Sequence, residues 1–261
     1  MNDSCSTLRD ALASERPLLG TFLKLPRREV VDVLALAGFD FLICDLEHAA
    51  TTDAEAREVL ATAAAHGLPV VVRVAAVERG QVNHLLEAGA AGIQVPRLRS
   101  ATQVAELTDL TRFPPVGSRS VGLAHPGAGY GRVPLGAYVA DADRAPVIVG
   151  QFETRALDDA IDDVVAGLDV AFIGAVDLTV DHGAPGDLDD PAVAARIADV
   201  EAAAKRHGVA LGAFAPTLDH VPRFAARGYR YVAVSGDLTF LDGGATRTVA
   251  AAREALSEVH A

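Results

Sequence analysis

The chain has 261 residues, half of them apolar and mostly Ala, Val and Leu, with no Trp and only 5% aromatic side chains, which suits one large α/β domain packed from small aliphatic groups. A formal net charge of −12 argues against a nucleic-acid or anionic-membrane surface, because phosphate binding depends on clustered Lys and Arg, and leaves small molecules or protein partners. No apolar run approaches a membrane span, residues 1–16 form a polar leader without the apolar core of a signal peptide, and the two cysteines, Cys5 and Cys44, make neither a disulfide framework nor a zinc site. The expected setting is the cytoplasm.

After the leader, Leu18 to Leu25 reads as a first strand, and Arg27 to Ala37 has helical apolar spacing closed by Gly38. A second apolar run, Phe39 to Ile43, leads into Cys44-Asp45-Leu46-Glu47-His48-Ala49, before the helix-start signal Thr51-Thr52-Asp53. A helix over Asp53–His66, a strand Val70–Val74 carrying Arg73, a helix from about Arg79 to Ala88 and a strand Gly92–Leu98 continue the alternation. A helix Ala101–Arg112 follows. The Gly/Pro-rich stretch Pro114 to Arg132 is then long enough to favour a functional loop over a mere connection. The rhythm resumes with strand Pro146–Glu153, helix Ala156–Ala166, strand Val170–Gly174, helix Val193–His207 and strand Val209–Ala215. Helix Leu218–Ala226, strand Tyr229–Ser235 and helix Thr246–Val259 end the chain. Eight strands, each followed by a helix, predict a (β/α)8 TIM barrel spanning the chain as a single domain. An open doubly wound sheet is the alternative, but no strand here ends in the Gly-rich phosphate loop that such folds use.

In a parallel α/β protein, ligands are handled at the carboxyl ends of the strands. The polar residues expected there are Asp45, Glu47 and His48, then Arg73, Gln151, Glu153 and Asp177. Asp45 with His48 is a general acid/base pair in waiting; the bland alternative is a capping aspartate and a solvated loop histidine. Arg73 follows three valines, where a lone guanidinium is costly unless it meets an anion: a carboxylate or enolate substrate, or a structural ion pair with Asp45 or Glu47. Gln151 and Glu153 project to the same side of one strand. Glu153 and Asp177, on neighbouring strands with no cation close in sequence, would repel unless protonated or bridged by a cation, and oxygen ligands of this kind suit Mg2+ or Mn2+, with Co2+ or Zn2+ as alternatives. Otherwise Glu153 pairs with Arg155 and Asp177 caps a short helix.

Six ordered stretches, Cys-Asp-Leu-Glu-His-Ala, Val-Val-Arg-Val, Gly-Ile-Gln-Val-Pro, Phe-Pro-Pro-Val-Gly-Ser-Arg-Ser-Val-Gly, Gln-Phe-Glu-Thr and Phe-Ile-Gly-Ala-Val-Asp-Leu-Thr, resemble the HpcH/HpaI aldolase and citrate lyase family from about Leu18 onward. The branch they are most similar to holds the 4-hydroxy-2-oxoheptanedioate and 2-keto-3-deoxy sugar acid aldolases. The resemblance implies a lyase that reversibly cleaves a 4-hydroxy-2-oxo acid to pyruvate and an aldehyde through a metal-stabilised enolate. It implies a divalent metal on Glu153 and Asp177, Arg73 as enolate stabiliser, Gln151 as a pyruvate contact, and His48 with Asp45 as acid/base dyad. Ala175 and Val176 would shape the pyruvate floor, where this chain departs from the family's usual Gly-Pro, and Glu87 would reach a neighbouring subunit's site. A homo-oligomer is implied too, with the last helix exchanged within a dimer, usually inside a hexamer built as a trimer of dimers. A CoA-thioester lyase of the citryl-CoA or malyl-CoA type is one alternative, although only isolated arginines such as Arg97 and Arg119 are at hand for nucleotide phosphates. A catalytically idle barrel serving as a binding subunit is the other.

Overall fold

A computed structural model describes residues 8–14, 16–140 and 146–259. A short helix α1 (Leu8–Ala13) precedes strand β1 (Leu18–Leu23). Alternation then runs through α2 (Arg28–Ala37), β2 (Phe41–Asp45), α3 (Asp53–Ala65), β3 (Val70–Arg73), α4 (Arg79–Glu87), β4 (Gly92–Val95) and α5 (Ala101–Thr111). A 3-10 segment (Pro126–Gly131) and α6 (Leu135–Ala140) precede β5 (Val147–Phe152), α7 (Ile161–Val165), β6 (Val170–Ile173) and α8 (Ala175–Asp181). The chain finishes with α9 (Pro191–His207), β7 (Ala210–Ala215), α10 (His220–Ala226), β8 (Tyr229–Gly236) and α11 (Asp237–Val259). All eight strands pair in parallel and in sequence order, and β1 closes on β8, so the expected (β/α)8 barrel is the fold.

The strands are buried on both faces, which is why they read as continuous apolar runs. Two cores result. The inner one fills the barrel with Phe22, Phe41, Ile43, Val71, Phe172 and Tyr231, among others, while the outer one packs the strands' other faces against the helices. Phe41 stacks on Tyr231 with ring centroids 4.0 Å apart. Gly20 makes room for that pair, since a Cβ there would lie 2.2 Å from the Phe41 ring.

Three expectations need correction. The leader is not merely polar: α1 sends Leu8 and Leu12 into the inner core, and its Arg9 reaches Asp169, which also accepts the N–H of Ile148. The helix expected over Ala156–Ala166 is shortened to α7, because Asp158 and Asp159 are spent tying this segment to Arg99 and the start of α5. The short helix of the alternative reading for Asp177 is present as α8, with Gly174 at its N-cap and Asp177 inside its first turn. Finally, α11 begins at Asp237 rather than Thr246; Gly243 and Gly244 lower helix propensity by about 1 kcal/mol each without stopping it. No helix among the described residues is long and apolar enough to cross a membrane.

Candidate active site

A cavity of about 400 Å³ opens at the carboxyl ends of the strands. Phe22, Phe172 and Phe214 give it aromatic walls, and Lys24, His48, Arg73, Gln151 and Asp177 bring polar groups to it. Residues from β1, β3, β5 and β6 and the segments after them therefore share one space. This is the face on which a parallel barrel carries its chemistry.

Asp45 and Arg73 sit at the ends of adjacent strands in register with each other. The guanidinium donates to both carboxylate oxygens, Nε to Oδ1 at 2.9 Å and Nη2 to Oδ2 at 2.7 Å, and its Nη1 lies 3.3 Å from Glu47 Oε2. Asp45 is fully buried and Arg73 is 5% exposed. Burial alone would raise the Asp45 carboxyl, but the hydrogen bonds and charge of Arg73, with the N–H groups of His48 and Glu47, outweigh it and hold the group below its usual range. The ion pair expected for Arg73 is thus present with both acids. The guanidinium also lies over the Phe22 ring, 4.8 Å from its centroid.

His48 stands differently from the expected dyad. Asp45 Oδ1 accepts the backbone N–H of His48 at 3.2 Å, so it fixes the main chain rather than the imidazole. The ring, half exposed toward the cavity, has Glu47 Oε2 3.8 Å from its Nε2. A direct Asp45–imidazole bond is absent because both Asp45 oxygens are committed to Arg73. Cys44, next in the strand, is inert: burial, with the charges of Asp45 and Asp237, pushes its thiol up to about 12.

Across the mouth, Gln151 donates to Glu153 Oε2, and the Arg97 N–H donates to Glu153 Oε1 at 2.6 Å. Glu153 is 3% exposed and stands behind the cavity wall rather than in it; it makes no pair with Arg155. Burial pushes its carboxyl up to about 7 against these two hydrogen bonds, and the charges of Asp177 and Glu47 push the same way. Gly174 lets the Glu153 side chain pack against its backbone, since a Cβ there would lie 2.6 Å from Glu153 Oε2. Among the described residues no three His, Cys, Asp or Glu side chains converge as a metal cluster. A two-carboxylate set, completed by water and substrate oxygens, is the form that a hard divalent cation accepts.

Ala175 and Val176 line the cavity beside Asp177. Glu87 does not; it accepts from Asn83 at the end of α4 and packs against Gly122 of the long loop. Lys24 stands 3.6 Å from Asp45 at the cavity, and sequence reasoning missed Gln94, which donates to Gln151 Oε1 at 2.7 Å. The signal for Gln94 was available in its setting, a lone amide inside an apolar strand.

The sequence pattern of the HpcH/HpaI aldolase/citrate lyase family matches residues 18–242. The chain belongs to that family. It is 31% identical to the hydroxypyruvate/pyruvate aldolase of Paraburkholderia phytofirmans, over 99% of each chain. With the 4-hydroxy-2-oxo-heptane-1,7-dioate aldolase of Klebsiella pneumoniae it shares 34% identity, covering 92% of this chain and 91% of the relative. The crystal structure of an HpcH/HpaI aldolase from Desulfitobacterium hafniense superposes with a TM-score of 0.87 at 30% identity, over 95% of this chain and 97% of the other. The relatives are carbon–carbon lyases, and an aldolase of the HpcH/HpaI family is what the sequence motifs led us to expect.

Proposed function

We propose that this protein is a divalent-metal-dependent aldolase that reversibly cleaves a 4-hydroxy-2-oxo acid into pyruvate and an aldehyde. The observation that carries the reading is the single cavity shared by His48, Arg73, Gln151 and Asp177, with Glu153 directly behind it. Glu153 and Asp177 would hold the cation, Mg2+ or Mn2+ by the hardness of their oxygens. Once bound, it would supply Lewis-acid polarisation of the substrate's keto oxygen.

The protein's own groups do the rest. Arg73, held in place by Asp45 and Glu47, adds positive potential where the enolate develops. Gln151, facing the cavity from β5, orients the 2-oxo acid, and Ala175 and Val176 form the floor beneath it. In the cleavage direction the His48 imidazole takes the proton of the C4 hydroxyl as the C3–C4 bond breaks, which releases the aldehyde and leaves pyruvate enolate. Protonation of the enolate methylene carbon completes pyruvate. A CoA-thioester lyase gains no support from the cavity, because its two permanent cations, Lys24 and Arg73, both face Asp45.

The same reading includes self-association. None of residues 238–258 of α11 is buried, although they include Leu238, Leu241, Val249 and Leu256, and Val33 and Leu36 of α2 are exposed as well. Apolar surface of this extent on a long terminal helix suits a second copy of the chain, with Glu87 reaching toward the neighbour's cavity. The deciding experiment is an aldol screen with pyruvate, Mn2+ and a series of aldehydes, read by product detection, with the oligomer measured by light scattering. Absence of any aldol product across the panel with metal bound would overturn the catalytic reading.

A further inference from the structure

Strand β4 contributes no carboxylate, imidazole or guanidinium to the cavity, yet it governs the position of Glu153. Gln94 on β4 is 0% exposed and points into the barrel, while its neighbours Ile93 and Val95 join the outer core. A buried amide in such a strand is penalised for each polar atom left unsatisfied, and Gln94 Oε1 has no partner among the described residues. An apolar residue would avoid that cost. The donor end of the same amide is engaged, since Nε2 donates to Gln151 Oε1 at 2.7 Å. Gln151 Nε2 in turn donates to Glu153 Oε2.

We propose that Gln94 is a positioning residue that fixes which way the Gln151 amide faces, and thereby holds Glu153 as a ligand for a divalent cation; this rests on the assignment of Glu153 to the metal. An amide is nearly symmetric in shape but opposite in polarity at its two ends. Turned over, Gln151 would aim a carbonyl oxygen at the deprotonated Glu153 carboxylate that a cation needs, two acceptors facing each other. Gln94 prevents this by occupying Gln151 Oε1 with an N–H, so only the NH2 end is left for Glu153. The end of β4 reinforces the arrangement from the other side. Arg97 there adopts φ +50°, a left-handed conformation costly for a residue with a side chain, and its backbone N–H donates to Glu153 Oε1. Both oxygens of Glu153 are thus held from β4 and the segment just after it, one from Gln94 through Gln151 and one directly by Arg97. Partners behind metal ligands commonly change metal affinity by about 10–100-fold when removed.

The test is a double-mutant cycle on Mn2+ affinity, measured by electron paramagnetic resonance on the metal-stripped full chain, together with 15N NMR of the Gln151 side-chain amide. Gln94→Met should weaken Mn2+ binding about tenfold in the wild-type background. In a Gln151→Met background it should change affinity less than twofold, because the pathway it acts through is gone. An additive loss in both backgrounds, or none in the first, overturns the proposal. The Gln151 amide protons should exchange slowly with solvent in the wild-type chain and faster in Gln94→Met. If Gln94→Met does not fold, exchange in the wild-type chain at the rate of a free amide overturns the proposal by itself. Should Glu153→Gln leave Mn2+ binding intact, the metal assignment falls. Gln94 is then judged by amide exchange: protection lost in Gln94→Met supports its control of Gln151, and unchanged protection overturns it.

Discussion

The Asp45 carboxylate and the Arg73 guanidinium form a bidentate pair, 2.9 and 2.7 Å, buried at the ends of neighbouring strands. Desolvating two charges is worthwhile only with such geometry and with the remaining lone pairs satisfied, and here Oδ1 also accepts two backbone N–H groups. The pair holds a cation at the cavity wall and at the same time anchors the turn that carries Glu47 and His48. Asp45→Asn should therefore cost about 3 kcal/mol in urea unfolding, because it leaves Arg73 buried with half its partners, and should lower aldol turnover on the order of a hundredfold. Arg73→Lys, which cannot make the two-pronged contact, should lose turnover similarly. Because the folded-state carboxyl lies below its unfolded value, its stabilisation is present above the unfolded value and is lost as pH falls through the folded one.

Glu153 behaves in the opposite sense. Its carboxyl is raised to about 7, so between the ordinary carboxylate range and pH 7 the folded chain holds a proton that the unfolded chain does not. Metal-free protein should lose stability as pH rises through that window, and Glu153→Gln should flatten the profile. Mn2+ must displace the proton, so its apparent affinity should climb by about tenfold per pH unit below 7 and level off above. Glu153→Gln and Asp177→Asn should each weaken Mn2+ binding and abolish activity with the fold retained, and chelator inactivation should reverse on adding Mn2+ or Mg2+. Full activity in excess chelator contradicts the metal assignment.

The barrel was legible because strands buried on both faces are continuous apolar runs, and because Gly38, Gly67 and Gly89 mark the chain reversals with positive φ. The short helices were not. α6 has six residues, too few for a 3.6-residue period to register, α8 entered only as the alternative reading for Asp177, and the Gly243-Gly244 pair hid the start of α11. Within the candidate site, residue types at strand ends were enough to gather Asp45, Glu47, His48, Arg73, Gln151 and Asp177. Which atom meets which was not legible, since it depends on rotamers across strands. Asp45 binding the His48 main chain instead of its ring is one such detail, and the relay from Gln94 is another.

His48 carries a prediction of its own. With its ring exposed to the cavity and Glu47 as the carboxylate near it, the imidazole is free to exchange a proton with substrate. His48→Ala should slow exchange of pyruvate methyl protons with solvent by on the order of 10² to 10⁴. Glu47→Gln should slow it less, since the contact is 3.8 Å, beyond hydrogen-bond distance. NMR of pyruvate in D2O with Mn2+ measures both, and an unchanged rate in His48→Ala would reassign the residue to positioning.

A Schiff base on lysine is the other route to pyruvate aldol chemistry on a barrel, and it makes an opposite prediction. That route needs a neutral amine with space around it, usually produced by burial or by a neighbouring cation. The chain has two lysines. Lys205 is exposed near the end of α9, on the outer ring. Lys24 lines the cavity, but its Nζ stands 3.6 Å from Asp45 Oδ2, so the group is tied to a carboxylate rather than free to attack a carbonyl. Arg73, the cation that would oppose it, is already neutralised by Asp45 and Glu47. Lys24→Met should therefore retain most of the turnover with pyruvate and a simple aldehyde. Borohydride added with pyruvate should neither inactivate the protein nor raise its mass, as intact-protein mass spectrometry would read. A reduced pyruvyl adduct on Lys24 would displace the metal-enolate mechanism and, with it, the roles given to Glu153 and Asp177.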